Sequence, residues 1–116
     1  MKPLFLVTVL LVLTGTAKAE SIYCYFTEPF LTVTYNSDTN KVKVDSPQDG
    51  SVELNGSVIY QKGGLLKISA EGVTQYLEVD LTKEGSDGMS DFVYPFEGII
   101  NGTLYGGCET DSLKRQ

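Results

Sequence analysis

The chain has 116 residues with nine basic and fifteen acidic side chains and no histidine, a formal charge of −6 at neutral pH. That balance disfavours phosphate backbones and anionic lipid surfaces as partners, so nucleic-acid binding and electrostatic membrane docking are excluded as leading readings. Without histidine and with only two cysteines, the chain cannot build a His-based catalytic triad, a His-ligated zinc site or a four-cysteine zinc site.

The first element is a leader. Met1-Lys2 gives a positive start, Leu4 to Leu13 is almost wholly apolar, and Ala17-Lys18-Ala19 places small residues where a signal peptidase reads. The apolar run is shorter than the roughly 20 residues that span a bilayer, so residues 1–19 read as a cleavable signal peptide, with no membrane span left after its removal. Residues 20–116 then form one small domain of 97 residues. It keeps all fifteen acids but loses Lys2 and Lys18, for a formal −8. The expected location is periplasmic or secreted. Cys24 and Cys108 lie near its two ends, and an exported protein with an even cysteine count is expected to oxidise them to a disulfide. Closing a loop of 84 residues is worth roughly 4.5 kcal/mol in the chain-entropy model.

Along the mature chain, apolar residues recur with period two and no window carries a helical stripe, so the domain reads as all-β. Leu31, Val33 and Tyr35 alternate with threonines, the polar turn Asn36 to Asn40 follows, and Val42 and Val44 alternate with lysines to complete a hairpin. Ser46 to Gly50 is a turn. Val52 and Leu54 lead into Asn55-Gly56, read as a two-residue hairpin turn, and Val58 to Tyr60 runs to a break at Gly63-Gly64. Leu66, Ile68 and Ala70, the turn Glu71-Gly72, and the alternation from Val73 to Leu81 make the longest hairpin. Lys83 to Asp91 is a loop. Phe92, Tyr94 and Phe96 form an aromatic stripe at strand spacing, with Pro95 placing that strand at an edge or bulge. Asn101-Gly102 is another hairpin turn, Thr103 to Cys108 returns, and the tail after Glu109 reads as frayed.

About eight short strands joined by tight turns predict a small antiparallel β-barrel or a barrel-like sandwich. Its interior should be filled by side chains, so ligands are expected on loops or at the barrel mouth. Tyr35 and Tyr94 are assigned inward, Tyr76 and Tyr105 to the surface. Asn55-Gly56-Ser57 and Asn101-Gly102-Thr103 match the glycosylation pattern, but turn chemistry already accounts for both.

Three stretches resemble a family of uncharacterised bacterial envelope proteins: Cys24-Tyr25-Phe26-Thr27-Glu28-Pro29-Phe30, Ser86-Asp87-Gly88-Met89-Ser90-Asp91-Phe92-Val93-Tyr94-Pro95-Phe96, and Leu104-Tyr105-Gly106-Gly107-Cys108. Leu31 stands where that family usually has Trp, and Gly85 where it often has Cys. The resemblance implies an envelope location and no particular chemistry. A looser one runs to the envelope inhibitors of C-type lysozyme, with Tyr23 or Ile22 before Cys24, Ser57 to Gly63 and Cys108 as counterparts. It implies that Ser57 hydrogen-bonds a catalytic carboxylate of the target while Tyr60 fixes the loop. Glu71-Gly72 departs from it, since a carboxylate there repels rather than pairs.

The expected function is a non-catalytic, monomeric, exported binding protein. The first candidate partner is a cationic hydrolase such as lysozyme, met through Ser57, Tyr60, Lys62 and Gly63. The alternative is a small-molecule or envelope-component binding module that uses the barrel mouth and the acidic loop of Glu84, Asp87 and Asp91. Those three carboxylates could gather around a hard cation, but Asp and Gly there also serve to turn the chain, and neither a required metal nor a cofactor is expected. With no catalytic motif, the chain is not expected to be an enzyme.

Overall fold

A computed structural model describes residues 20–116; residues 1–19, expected to be a signal peptide, lie outside the described residues. Alternating side chains and turn-forming dipeptides produce eight strands: β1 (Ser21–Thr27), β2 (Phe30–Asn36), β3 (Lys41–Ser46), β4 (Gly50–Lys62), β5 (Leu65–Ala70), β6 (Tyr76–Asp80), β7 (Phe96–Ile100) and β8 (Leu104–Thr110). Each pairs antiparallel with the next, and β8 returns to β1, closing an up-and-down barrel. No helix among the described residues is long and apolar enough to cross a membrane.

The turns follow from local chemistry. Asn36 accepts from the Asp38 and Thr39 amides, and Asn40 takes a positive φ of 55° to enter β3. Asn101 and Gly102 have φ of 52° and 72°, the paired left-handed conformation of a tight hairpin. The same dipeptide at Asn55-Gly56 does something else, which corrects the sequence reading: β4 runs straight through it as one 13-residue strand. A Cβ on Gly56 would lie 2.4 Å from a Val42 methyl. Glycine here permits close approach rather than a reversal. β4 accordingly pairs with β3 through Gly50–Asn55 and with β5 from Gly56 onward.

Inside the barrel, Phe26, Val33, Tyr35, Val42, Leu66, Ile68, Leu77 and Val79 pack around the Cys24–Cys108 disulfide. The two cysteines face each other across the β1–β8 seam that closes the cylinder. Gly98 makes room for the disulfide, where a Cβ would meet the Cys108 sulfur at 2.6 Å, and Gly106 makes room for Phe26, whose ring a Cβ would meet at 2.5 Å.

Further expectations are corrected. Phe92 and Tyr94 are not in a strand; β7 begins at Phe96, because Asp87 and the Gly85–Tyr94 backbone bridge pin the chain into an irregular loop first. Val73 and Gln75 lie in the turn before β6 rather than in it. Tyr94 is buried as expected, but on the outer wall: its ring lies on Gly107, whose neighbour Cys108 faces inward. The tail is not frayed. Gln116 and Val93 exchange two backbone hydrogen bonds of 3.0 Å, and the Ser112 amide donates to Glu20.

Candidate functional site

The long β6–β7 loop climbs the outside of the β1–β8 seam and creates a small second core there. Odd-numbered residues of β1 and β8 point outward, so Tyr25, Gly107 and Glu109 present a surface onto which Tyr94 settles, its ring centroid 5.6 Å from that of Tyr25. Asp87 anchors the arrangement. One carboxylate oxygen accepts from the Met89 amide (2.8 Å) and the Ser90 amide (2.7 Å), the other from the Ser90 hydroxyl and the Tyr94 hydroxyl (2.8 Å). Burial alone would raise the Asp87 pKa, but these four donors outweigh it and hold the carboxyl well below its ordinary range. The Tyr94 phenol is pushed up to about 12, by burial first and then by its hydrogen bond to Asp87 and that carboxylate's charge.

Arg115 locks the other side. Its guanidinium lies 4.8 Å from the Phe92 ring centroid, 5.1 Å from that of Tyr25 and 5.8 Å from that of Tyr94. It faces the buried Glu109 carboxylate at 3.7 Å, and its own backbone amide donates to the same group at 2.9 Å. The Tyr25 hydroxyl donates to Glu109 at 3.1 Å, and burial followed by that carboxylate's charge raises the Tyr25 pKa.

This framework forms one wall of an open groove of about 970 Å³. The register sets its floor: Tyr25 pairs with Thr32, Thr32 with Asp45 and Asp45 with Ser51, giving an outward-facing row of hydroxyls and one carboxylate across β1 to β4. Phe30, Met89 and Phe92 flank it and are 51%, 71% and 46% exposed. A second cleft of about 440 Å³ lies beside Phe30, opens between β4 and β5–β6 and is bordered by core side chains at the barrel wall. Strand divergence explains it: β5 meets β4 only from Gly56 on, leaving the Gly50–Asn55 half of β4 paired with β3 alone.

Ser57, Tyr60 and Lys62 are not on a loop but in the exposed second half of β4; Gly63, with φ of 62°, begins the turn to β5. The Ser57 and Ser69 hydroxyls lie 3.4 Å apart, and Tyr60 carries the Lys67 ammonium 5.7 Å from its ring centroid. Of the acidic loop, Asp87 turns into the wall while Glu84 and Asp91 stay exposed, so the three are not brought together. Among the described residues no cluster of three metal-ligating side chains is present. Sequence reasoning missed Arg115, Glu109 and Phe30. That Gly107 faces outward opposite Tyr25, where a bare glycine marks a place for something to pack on the wall, is visible only once the register is known.

Comparison with protein-family models, with curated proteins and with solved structures finds no match to this chain.

Proposed function

We propose that this protein is an exported, non-catalytic binding module of the bacterial envelope whose outer groove takes a neutral, hydroxyl-rich ligand of the glycan class. The carrying observation is the groove's composition: a row of Tyr25, Thr32, Asp45 and Ser51 between the exposed Phe30, Met89 and Phe92. Sugar hydroxyls donate to a carboxylate and exchange hydrogen bonds with hydroxyl side chains, while the C–H face of a pyranose stacks on an aromatic ring. The one cation at the groove, Arg115, is already matched by Glu109, so an anion gains little there. Both buried carboxylates are committed, Asp87 to four donors and Glu109 to Arg115 and Tyr25, which favours binding over acid–base chemistry. The disulfide and the signal-like leader agree with export to the periplasm.

Titration of neutral N-acetylglucosamine oligomers into the purified protein tests this. Saturable binding lost in Phe92→Ala and Asp45→Ala supports it, and binding that ignores both replacements refutes it. A second reading, inhibition of a cationic hydrolase, is supported by the −8 charge of residues 20–116 and by the exposed Val58, Ile59 and Tyr60 on the β4–β5 hairpin. Stoichiometric lysozyme inhibition at physiological salt that Tyr60→Ala abolishes would favour it over the glycan reading.

A further inference from the structure

We propose that the cleft between β4 and the β5–β6 turn holds the hydrocarbon chain of an amphiphile with an uncharged head. This second ligand site does not depend on the outer-groove reading. Its walls come from the barrel core itself: Val33, Val42, Ile68 and Leu77 are almost wholly buried yet border the cleft, as does the partly buried Ile100. At the opening stand Val52 and Val73, 47% and 42% exposed, an unusual degree for valines at the lip of a core. The opening exists because the first half of β4 has no strand beside it on the β5 side among the described residues.

Three observations select the occupant. First, no buried side-chain polar atom among the described residues lacks a hydrogen-bond partner, so the interior offers nothing for a polar ligand to satisfy. Second, about 440 Å³ bounded mainly by aliphatic side chains is within the size range of small-ligand sites. Third, the polar residues bordering the cleft are Ser46, Gln48, Asp49, Ser69, Gln75 and Tyr76, with no lysine or arginine among them. A carboxylate or phosphate head therefore meets Asp49 and no lining cation, the Lys67 ammonium being held over the Tyr76 and Tyr60 rings, whereas an alcohol or glyceryl head finds hydrogen-bond partners.

The test is calorimetric titration of the full purified protein with decanol and with decanoate, each below its aggregation concentration, at two temperatures. Expected is one saturable site for decanol with a negative heat-capacity change, and binding of decanoate at least about tenfold weaker at neutral pH. Val52→Trp places a large ring at the solvent-exposed lip, where folding tolerates it, and should abolish decanol binding. Tyr105→Ala, at an exposed β8 position that borders neither cavity, should leave it unchanged. Absence of a saturable site, equal affinity for decanoate, or decanol binding that survives Val52→Trp would each overturn the proposal. A concentration-dependent dimer that Val52→Trp disperses, with no decanol binding, would also overturn it and make a second copy of the chain the occupant.

Discussion

Replacing Asp87 with alanine removes the acceptor of four hydrogen bonds, and their surroundings set the cost. The Met89 and Ser90 donors belong to exposed residues that water can reach, so losing them costs about 1 kcal/mol in total. The Tyr94 hydroxyl cannot be rehydrated in place, since the residue is 1% exposed, and stranding that donor costs about 2 kcal/mol more. The expected destabilisation is about 3 kcal/mol, read by urea unfolding at pH 7 with an unchanged slope. The decisive version is a double-mutant cycle. In a Tyr94→Phe background no hydroxyl remains to strand, so Asp87→Ala should cost only about 1 kcal/mol, a coupling of about 2 kcal/mol. Equal costs in the two backgrounds would refute the reasoning that the carboxylate is retained to satisfy the buried phenol.

Three other predictions follow from the same structure. Cys24→Ser with Cys108→Ser should lower stability by roughly 4.5 kcal/mol, since the bond closes an 84-residue loop at the barrel seam; unfolding with and without reductant measures it, and a loss under about 1 kcal/mol would contradict the assignment. Gly107→Ala should cost about 3 kcal/mol because its Cβ would fall 2.4 Å from the Tyr94 ring, whereas Gly72→Ala, with open space but a φ of 79°, should cost about 1 kcal/mol. The pH dependence has two signs. The Asp87 carboxyl, held below its ordinary range, contributes stability that is complete above about pH 4 and lost as pH falls below it. The Tyr94 phenol, raised to about 12, contributes stability present below about pH 10 and lost as pH climbs from there towards 12. Unfolding midpoints across pH should fall at both ends, and Asp87→Ala should flatten the acid limb.

Particular residues show how far the sequence alone carries. The period-two alternation in Leu31 to Tyr35, Leu66 to Ala70 and Leu77 to Val79 reports a half-buried sheet directly, because side-chain direction in a strand is fixed by parity; closure into eight strands then follows from the turn spacing. Asn55-Gly56 and Asn101-Gly102 mark the boundary of that legibility. The dipeptide is identical, but one is a left-handed turn and the other a place where β4 crosses against Val42, and only the tertiary neighbour distinguishes them. Val58 to Tyr60 lies in a strand, as its place before the Gly63-Gly64 break predicts; only the resemblance to lysozyme inhibitors makes a loop of Ser57 to Gly63.

Asp87 was legible as a turn-former, and it is one, holding the Met89 and Ser90 amides; its second role, on Tyr94, needed the loop's path over the seam. Arg115 was not legible at all. A polar tail carries no periodicity, and its stacking on Tyr25, Phe92 and Tyr94 arises from contacts between the two ends of the domain and the loop. The outer groove shares that character: Thr32, Asp45 and Ser51 are ordinary outward strand positions until the register lines them up beside Phe30 and Phe92.

The most direct test of the central claim is to titrate neutral N-acetylglucosamine oligomers into isotopically labelled protein and follow the backbone amide resonances. The account predicts saturable shifts concentrated at Phe30, Thr32, Asp45, Met89 and Phe92, around the outer groove. Shifts confined to Ser57 to Lys62 on β4, or no saturable shift at all, would contradict it.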